Sequence, residues 1–371
     1  MGVLAVLLLR VVLTIGALSI AARAQECSQR TNYTVSTQEE INAITHNCTE
    51  IVGELSLVDW AGVLTLHNIT RLGSLSLYSG DITSLDLPDL EYFDSNLLLT
   101  NLPSLSRVSL PKLQSIDALH VGLTGDAPEL HCPKLTNASS VFLRGNFASQ
   151  SFDSLRTVTT KFDICNSINC NNYSYMNATT SMTLSFPVLE HVGNFKVGGN
   201  VTSLSTPEIS AITCSDCDWA ALHLKLYGSH PVVVDFPKLS AMEGNSYIRG
   251  DLASLSLPIL REYHDEFTVV PHQSLDISLP VERADNFLFS GSVSSIQLPN
   301  LTEFTRIHIN SDLSFDCNDF WDELKRTTGP LNESNADAYY QCSKGASYLG
   351  RLGVGVTAAI ALLVTIMGFL T

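Results

Sequence analysis

The most compact group of residues that could exchange protons with a substrate is His264-Asp265-Glu266, an imidazole beside two carboxylates. Glycoside hydrolysis needs two carboxyl groups that face each other across a cleft. This cluster lies between two repeat units, where a solvated loop is expected, and the other acidic residues are scattered over turns. The chain also lacks H-E-x-x-H, G-x-S-x-G and a glycine-rich phosphate loop. We therefore predict that the chain is not an enzyme, with a polysaccharide-active β-helix enzyme as the less favoured alternative.

Four cysteines fall in two pairs that could bind metal or act in redox chemistry. Cys214-x-x-Cys217 has the spacing of a redox motif or, with Cys165 and Cys170, of a zinc site. No βαβ context supports a redox motif, and an oxidising compartment favours structural disulfides. We predict the local bonds Cys165–Cys170 and Cys214–Cys217, with bonds between the two pairs left open. Neither a metal nor a cofactor is predicted.

The first 24 residues are typical of a secretory signal peptide. An apolar stretch interrupted by Arg10 ends at Ala22-Arg23-Ala24, which puts small residues at positions −3 and −1 of a cleavage site. A membrane anchor would not need this cleavage pattern. We predict that residues 1–24 are removed and that the mature chain is extracellular.

The last residues are typical of a signal for attaching a glycosylphosphatidylinositol (GPI) lipid. Gly353 to Thr371 is apolar and uncharged, and it follows a short spacer and several small residues. Ser343 is the first choice for the lipid site and Gly345 the second, so residues 344–371 would be removed. A single-pass membrane helix is the alternative, although no basic residue follows the apolar stretch.

The mature chain is strongly acidic. The whole chain has a net charge of −16, from 21 Lys and Arg against 37 Asp and Glu. Removing both ends takes away Arg10, Arg23, Lys344 and Arg351 but no acidic residue, which leaves a net charge of about −20. Such a surface repels nucleic acid and anionic lipid headgroups, so neither is predicted as a partner.

N-glycosylation sequons are spread along the mature chain. Glycans must project into solvent, so these positions predict the outer surface of an exported protein. The predicted sites are Asn32, Asn47, Asn68, Asn137, Asn172, Asn177, Asn200, Asn300 and Asn332.

An internal repeat sets the predicted architecture. One unit reads apolar-x-apolar-Pro-x-Leu, as in Leu85 to Leu90 and Leu255 to Leu260. A second unit alternates apolar and polar residues and ends in a glycine turn, and the turn glycine precedes the proline by eight residues in several copies, as from Gly250 to Pro258. A period of about 21 residues that keeps this phase is typical of a solenoid. We predict an all-β, right-handed β-solenoid, similar to receptor L-domains and leucine-rich repeats, of about ten coils over residues 51–312.

Both ends of such a solenoid need caps. Ser36 to Ile41 contains a capping box that opens a short helix, and Asp319 to Lys325 reads as a second helix. We predict an N-terminal cap over residues 25–50 held by Cys27–Cys48, and a C-terminal cap over residues 313–343 held by Cys317–Cys342. The ninth cysteine, Cys132, occupies the inward position before a proline, so we predict a buried and unreactive free thiol.

The repeat resembles a known family of surface proteins. The unit Gly250-Asp251-Leu252-Ala253-Ser254-Leu255-Ser256-Leu257-Pro258-Ile259-Leu260 is similar to the receptor-L-domain-like repeats of fungal GPI-anchored cell-wall proteins of the extracellular-mutant and sporulation-specific type. The likeness covers nearly all of the mature chain, including both caps and the tail. It implies a non-enzymatic role in cell-wall organisation and integrity, at the plasma membrane or cross-linked to wall glucan.

The chain departs from that family in one respect. Family members usually carry a long Ser/Thr-rich stalk before the lipid site, whereas Cys342 here directly precedes Ser343. We therefore expect retention at the outer leaflet of the plasma membrane rather than transfer into the wall. A receptor or adhesion module that binds a peptide or glycan on the solenoid face is the alternative function, and the oligomeric state stays open.

Overall fold

The alternation of apolar and polar residues in each repeat folds as stacked parallel strands. The computed structural model describes residues 32–124, 128–147, 149–166, 181–214, 220–228, 230–328 and 339–344. They form a β-solenoid of about 12 turns. The predicted all-β solenoid is confirmed, and the number of turns is close to the ten expected.

The described elements are two helices and a series of short strands. The helices are α1 (Gln38–Thr45) and α2 (Cys317–Thr328). In chain order the strands are β1 (Asn32–Val35), β2 (Glu50–Leu57), β3 (Ala61–Thr65), β4 (Arg71–Leu77), β5 (Asp81–Asp86), β6 (Tyr92–Leu102), β7 (Arg107–Ser109), β8 (Ser115–Thr124), β9 (Glu129–His131), β10 (Asn137–Arg144), β11 (Ser149–Ser151), β12 (Thr157–Cys165), β13 (Met182–Ser185), β14 (His191–Ser205), β15 (Ala211–Thr213), β16 (Leu222–Tyr227), β17 (Val232–Asp235), β18 (Ala241–Glu243), β19 (Ser246–Gly250), β20 (Leu252–Ser256), β21 (Glu262–Pro271), β22 (Leu275–Ser278), β23 (Arg283–Gly291), β24 (Val293–Gln297), β25 (Glu303–Ser311) and β26 (Tyr339–Lys344).

One long parallel sheet runs the length of the solenoid. It contains 17 strands, and its main ladder passes from β1 through β2, β4, β6, β8, β10, β12 and β14 to β26. Smaller parallel sheets form a second side, of which the largest joins β3, β5, β7, β9 and β11. Most coils therefore place a longer strand in the long sheet and a shorter one opposite.

The proline of each repeat ends the short strand and turns the chain. Leu85 and Leu87 are buried, and the turn after Pro88 closes with a hydrogen bond from Leu90 N to Leu87 O at 3.4 Å. Proline lacks an N–H, so it costs least where a strand ends. The same step repeats up the solenoid and stacks apolar side chains into one core. Phe162 and Phe195 belong to this core and stack at a centroid distance of 5.6 Å.

A turn glycine marks the opposite corner of a coil. Gly250 has φ +126°, and a Cβ at this position would lie 1.8 Å from Leu226 O of the preceding coil. Only glycine has no Cβ, so only glycine fits here without moving the backbone.

The two ends carry the predicted helices. At the N-terminal end Thr37 caps α1, and its side chain accepts a hydrogen bond from Glu40 N while the Glu40 side chain bonds back to the cap. This capping box confirms the predicted helix start. At the C-terminal end α2 extends beyond the predicted Asp319 to Lys325, and the cap also contains β26, which pairs with β25.

Candidate functional site at the centre of the long sheet

The outer face of the long sheet carries one unbroken column of side chains. Inward residues such as Phe162 and Ile164 belong to the core, so the residue between them, Asp163, faces outward. Strand register places one such outward residue on each rung. From the N-terminal end this central column reads Thr34, Ser56, Ser76, Leu98, His120, Phe142, Asp163, Lys196, His223, Tyr247, Thr268, Leu288, His308 and Gln341.

Asp163 is a buried carboxylate on this outer face. Its side chain is 0% exposed, and its Oδ2 lies 3.1 Å from Arg144 Nη2 and 3.5 Å from Lys196 Nζ. Its other oxygen, Oδ1, accepts no hydrogen bond from a described residue. Removing a carboxylate from water costs several kcal/mol unless charged partners compensate. The two basic residues are therefore needed to keep Asp163 in this position.

Two ionisable residues of β16, two rungs from Asp163, have perturbed pKa values. Burial, together with the nearby charges of Lys225 and Lys196, lowers the pKa of His223 to about 3. Burial and, to a lesser extent, repulsion from Lys196 and Arg249 lower the pKa of Lys225 to about 8. His223 is only 7% exposed and Lys225 only 8%. Buried ionisable groups that cluster in this way are typical of functional sites, although structural networks also produce them.

A second outward column adds further basic residues beside the first. We name it the basic row; it consists of Gly122, Arg144, Cys165, Gly198, Lys225 and Arg249, which pair from rung to rung. Lys161 lies on the other side of the central column and pairs with Ser140 and Asn194. The centre of the outer face is thus basic in a chain whose net charge is negative.

Aromatic rings support these cations. The Arg144 guanidinium lies 4.1 Å from the centre of the Phe142 ring, and Lys225 Nζ lies 5.7 Å from that of Tyr247. Phe142 also contacts His120, with ring centroids 4.4 Å apart. Cation–π contacts of this kind hold the cationic side chains against the sheet.

This cluster has no recognisable motif in the sequence. Asp163 and Lys196 are 33 positions apart in the sequence, and an insertion separates their strands. Their pairing depends on the lengths of that insertion and of the corner bulges. These charged residues are far apart in the sequence and form a column only after folding, so they leave no local motif.

The predicted acid–base cluster lies at a corner of the solenoid. His264 and Asp265 occupy the irregularity in β21 between Tyr263 and Glu266. Asp265 Oδ2 accepts a hydrogen bond from Gly244 N at 2.8 Å, whereas Glu266 Oε1 accepts one from Thr268 Oγ1 at 3.1 Å. Each carboxylate therefore accepts a structural hydrogen bond, Asp265 from the backbone and Glu266 from a side chain.

His264 is exposed and contacts carboxylates of two coils. Its Nε2 lies 3.9 Å from Glu262 and its Nδ1 3.8 Å from Asp285. These contacts resemble the corner pair formed by Arg71 and Asp94, at 2.8 Å, several coils earlier. The absence of catalytic activity stays a prediction.

The cysteines follow the predicted pattern where they are described. Cys317 and Cys342 form a disulfide that joins α2 to β26, which confirms that predicted bond. Cys132 is free and buried, and burial raises the pKa of its thiol. Cys48, Cys165 and Cys214 are each disulfide-bonded. The other member of each predicted pair, Cys27, Cys170 and Cys217, lies outside the described residues.

The described sequons differ in exposure. Asn32, Asn47, Asn68, Asn137 and Asn300 are exposed. Asn200 is half-buried, and its Oδ1 is buried without a hydrogen bond from the described residues, so it has the least room for a glycan among them. Asn172, Asn177 and Asn332 lie outside the described residues.

The first predicted lipid site lies in the last strand. Ser343 pairs with Asn310 in the β25–β26 ladder, and its hydroxyl is 2.8 Å from Asn310 Oδ1. Gly345, the second choice, lies outside the described residues, as do the predicted signal peptide and the apolar tail.

Other types of site are not found in the described part of the chain. Neither described helix has the length and apolar composition needed to cross a bilayer. Within the same residues, no group of three or more His, Cys, Asp or Glu side chains could hold a metal ion. A shallow groove of about 420 Å³ is lined by Arg261, Glu282, Pro299, Asn300, Thr302 and Thr327. Asn300 is a predicted glycan site, so a glycan there would border this groove.

No protein-family profile, curated protein or solved structure matches the chain.

Proposed function

We propose that the mature chain is a non-enzymatic, GPI-anchored cell-surface glycoprotein that contributes to cell-wall organisation by binding wall glycan along the outer face of the long sheet. The observation that carries this proposal is the unbroken outer face with its built cluster of charged and aromatic residues around Asp163. A rigid, stacked face of this kind suits an extended ligand, because solenoids often bind along such surfaces.

The neighbouring outward positions support a carbohydrate ligand. Asn96 and Ser140 lie on the outer face next to the central column. Amide and hydroxyl groups both donate and accept hydrogen bonds, as sugar hydroxyls require.

The lipid site favoured by the geometry is Gly345 rather than Ser343. A lipid on Ser343 would require cleavage of a peptide bond within β26, next to the disulfide at Cys342. Cleavage after Gly345 would leave the whole of β26 paired with β25. Mass spectrometry of the C-terminal peptide tests this assignment: a chain ending at Gly345 supports it, and one ending at Ser343 contradicts it.

Release from intact cells tests the anchor itself. Phosphatidylinositol-specific phospholipase should release the protein into the medium, and the released protein should lack the apolar tail. Retention of the protein together with a persistent tail peptide would contradict GPI attachment and favour a single membrane-spanning helix.

A deletion strain tests the wall role and separates it from catalysis. Loss of the protein should make cells sensitive to wall stress, and the triple variant His264→Gln, Asp265→Asn, Glu266→Gln should restore resistance. Failure of that folded variant to restore resistance would favour an enzyme. Binding of the purified protein to arrayed wall glycans should be saturable, and a protein that binds none of them would contradict the proposed mode of action.

A further inference from the structure

We propose that the basic row, with Lys161 and Lys196, binds an anionic polysaccharide whose phosphate or uronate groups lie along the solenoid axis. This inference rests on the proposed glycan-binding function and adds the chemical class of the ligand. The argument depends on charge, geometry and the chemistry of the surrounding face.

Basic residues outnumber acidic ones over five successive rungs. Arg144, Lys161, Lys196, Lys225 and Arg249 project from β10, β12, β14, β16 and β19. The acidic residue among them, Asp163, is fully buried between Arg144 and Lys196. It neutralises one cation and presents no charge to solvent. Asp251 lies beyond Arg249 at the turn, where it accepts a hydrogen bond from Gly228 N and contacts His272.

The mutual repulsion of these cations favours an anionic ligand. Lys196 and Arg249 both lower the pKa of Lys225, so their charges act on one another across the face. An anion placed among them would relieve this repulsion, and charge-assisted hydrogen bonds to phosphate or carboxylate are about twice as strong as neutral ones. The partly exposed Arg144 and Lys196 side chains, at 18% and 23%, allow such contacts.

The spacing suits a chain of anions rather than a single ion. Adjacent rungs are about 4.8 Å apart, so Arg144 and Arg249 are separated by roughly 19 Å along the axis. This length exceeds a single phosphate or carboxylate several-fold. An extended polymer with repeated negative groups would meet the row at more than one point.

The face is less suited to an acidic peptide or a membrane. The strands of the basic row are hydrogen-bonded on both sides within the long sheet, so a peptide cannot add to them as a further strand. The large apolar residues that are exposed, such as Val58, Val63 and Tyr78, lie elsewhere in the described structure and do not flank this row.

A set of charge-removing variants tests the proposal. The variant Lys161→Gln, Lys225→Gln, Arg249→Gln keeps both partners of Asp163 and removes three positive charges from the face. The control Lys112→Gln, Arg156→Gln, Lys238→Gln removes three positive charges from surface pairs with Asp89, Glu190 and Glu208. Thermal unfolding of each variant establishes that it is folded before binding is measured, and Lys225→Gln alone serves if the triple variant does not fold.

Binding should be measured to polygalacturonate, phosphorylated mannan, neutral mannan, polyglutamate and phosphatidylserine vesicles. The wild type and the control should bind at least one of the two anionic polysaccharides, with affinity that falls as salt rises. The triple variant should bind it at least ten-fold more weakly, and Lys225→Gln alone at least three-fold more weakly. The two polysaccharides distinguish uronate from phosphate as the recognised group.

The other outcomes contradict the proposal in different ways. Equal losses in the variant and its control would show a general charge effect rather than a site. Preferential binding of polyglutamate or of vesicles would identify a peptide or membrane ligand instead. Binding of neutral mannan that is unchanged in the variant would overturn the anionic site but leave the proposed function standing, whereas no binding to any glycan would overturn both.

Discussion

Single side chains on the outer face of the long sheet combine burial with charge. Asp163 is held between Arg144 and Lys196, and removing either cation would leave this buried carboxylate with one charged partner instead of two. His223 is also buried, but it avoids the cost of burying a charge because it stays neutral. The stability of this region therefore depends on which of its groups carry a proton.

Acid should destabilise the protein through His223. Its pKa is about 3 in the folded chain and 6.5 in the unfolded chain, so the unfolded state binds more protons between these values. Stability is then lost as pH falls through this window, and the loss at pH 5 relative to pH 7 is about 2 kcal/mol. Chemical denaturation of His223→Gln should show a smaller loss on acidification than the wild type. His264→Gln, which changes an exposed histidine, should behave as the wild type, and parallel curves for all three proteins would refute the role of His223.

Cys132 should be unreactive in the folded protein. Its thiol is fully buried, and burial raises its pKa, so little thiolate forms at neutral pH. Iodoacetamide should modify Cys132 only after unfolding, as read by peptide mass spectrometry with and without denaturant. Rapid labelling of the native protein would show that this position is accessible.

Residue-level prediction from the sequence succeeded where the repeat assigns a position and failed where it does not. The inward position before Pro133 predicted the burial of Cys132, because the same position holds a core residue in other coils. The partners of Asp163 could not be predicted, because they come from separate coils. The cluster around His264 was visible in the sequence only because its residues are adjacent, and adjacency at a corner bulge does not create a cleft.

At the scale of elements, glycine decides how closely successive coils approach. Gly250 in β19 has a positive φ and lies against the Leu226 carbonyl, whereas Gly198 in β14 has ordinary surroundings. A Cβ at Gly198 would meet Cys165 Sγ at 3.7 Å and Lys225 O at 3.8 Å, which are normal contacts. Both glycines lie in strands of the long parallel sheet, but only Gly198 has room for a side chain.

Gly250→Ala should be strongly destabilising and Gly198→Ala nearly neutral. The first adds a methyl group where a carbonyl already lies and where left-handed backbone disfavours alanine, so we expect a loss of about 3 kcal/mol or failure to fold. The second should change the free energy of unfolding by less than about 1 kcal/mol. Urea denaturation of both variants measures the difference, and similar values would contradict the assigned backbone geometry.

The predicted elements follow from patterns that are local in the chain. Proline after an apolar-x-apolar triplet located the strand ends, and the capping box located the start of α1. The number of residues that bulge out at each corner, one or two, could not be predicted, because it depends on how each coil packs on the previous one. From Ile51 to Glu54 the chain advances three residues while the facing strand advances two, from Leu72 to Ser74, so the register shifts by one residue at this corner.

The whole molecule is a stack in which each coil contacts mainly its neighbours. Local stability in such a stack falls towards the ends, where a coil has one neighbour instead of two. The C-terminal end is closed by α2 and β26, which the Cys317–Cys342 disulfide links. This bond should therefore matter most for the last coils.

The double variant Cys317→Ser, Cys342→Ser should open the C-terminal end first. Loss of a cross-link that closes a loop of 25 residues removes about 3 kcal/mol of stabilisation. Hydrogen exchange should become faster in β26 and α2 and change little in β8 to β12. Cys132→Ala, which removes a thiol but no cross-link, is the control, and a uniform rise in exchange along the whole solenoid would contradict local opening.

The same disulfide would have a mechanical consequence under the proposed attachment of the chain to a lipid at its C-terminus. The hydrogen bonds between successive strands of a solenoid run along its axis. Tension applied at the end of the last strand would therefore break the hydrogen bonds of that strand one after another. Cys342 stands two residues before the end of β26, and its covalent bond to Cys317 passes the load into the cap helix. Only Ser343 and Lys344 could be peeled away before that bond bears the force. With such an anchor, we expect the last coil to remain closed under a steady pull.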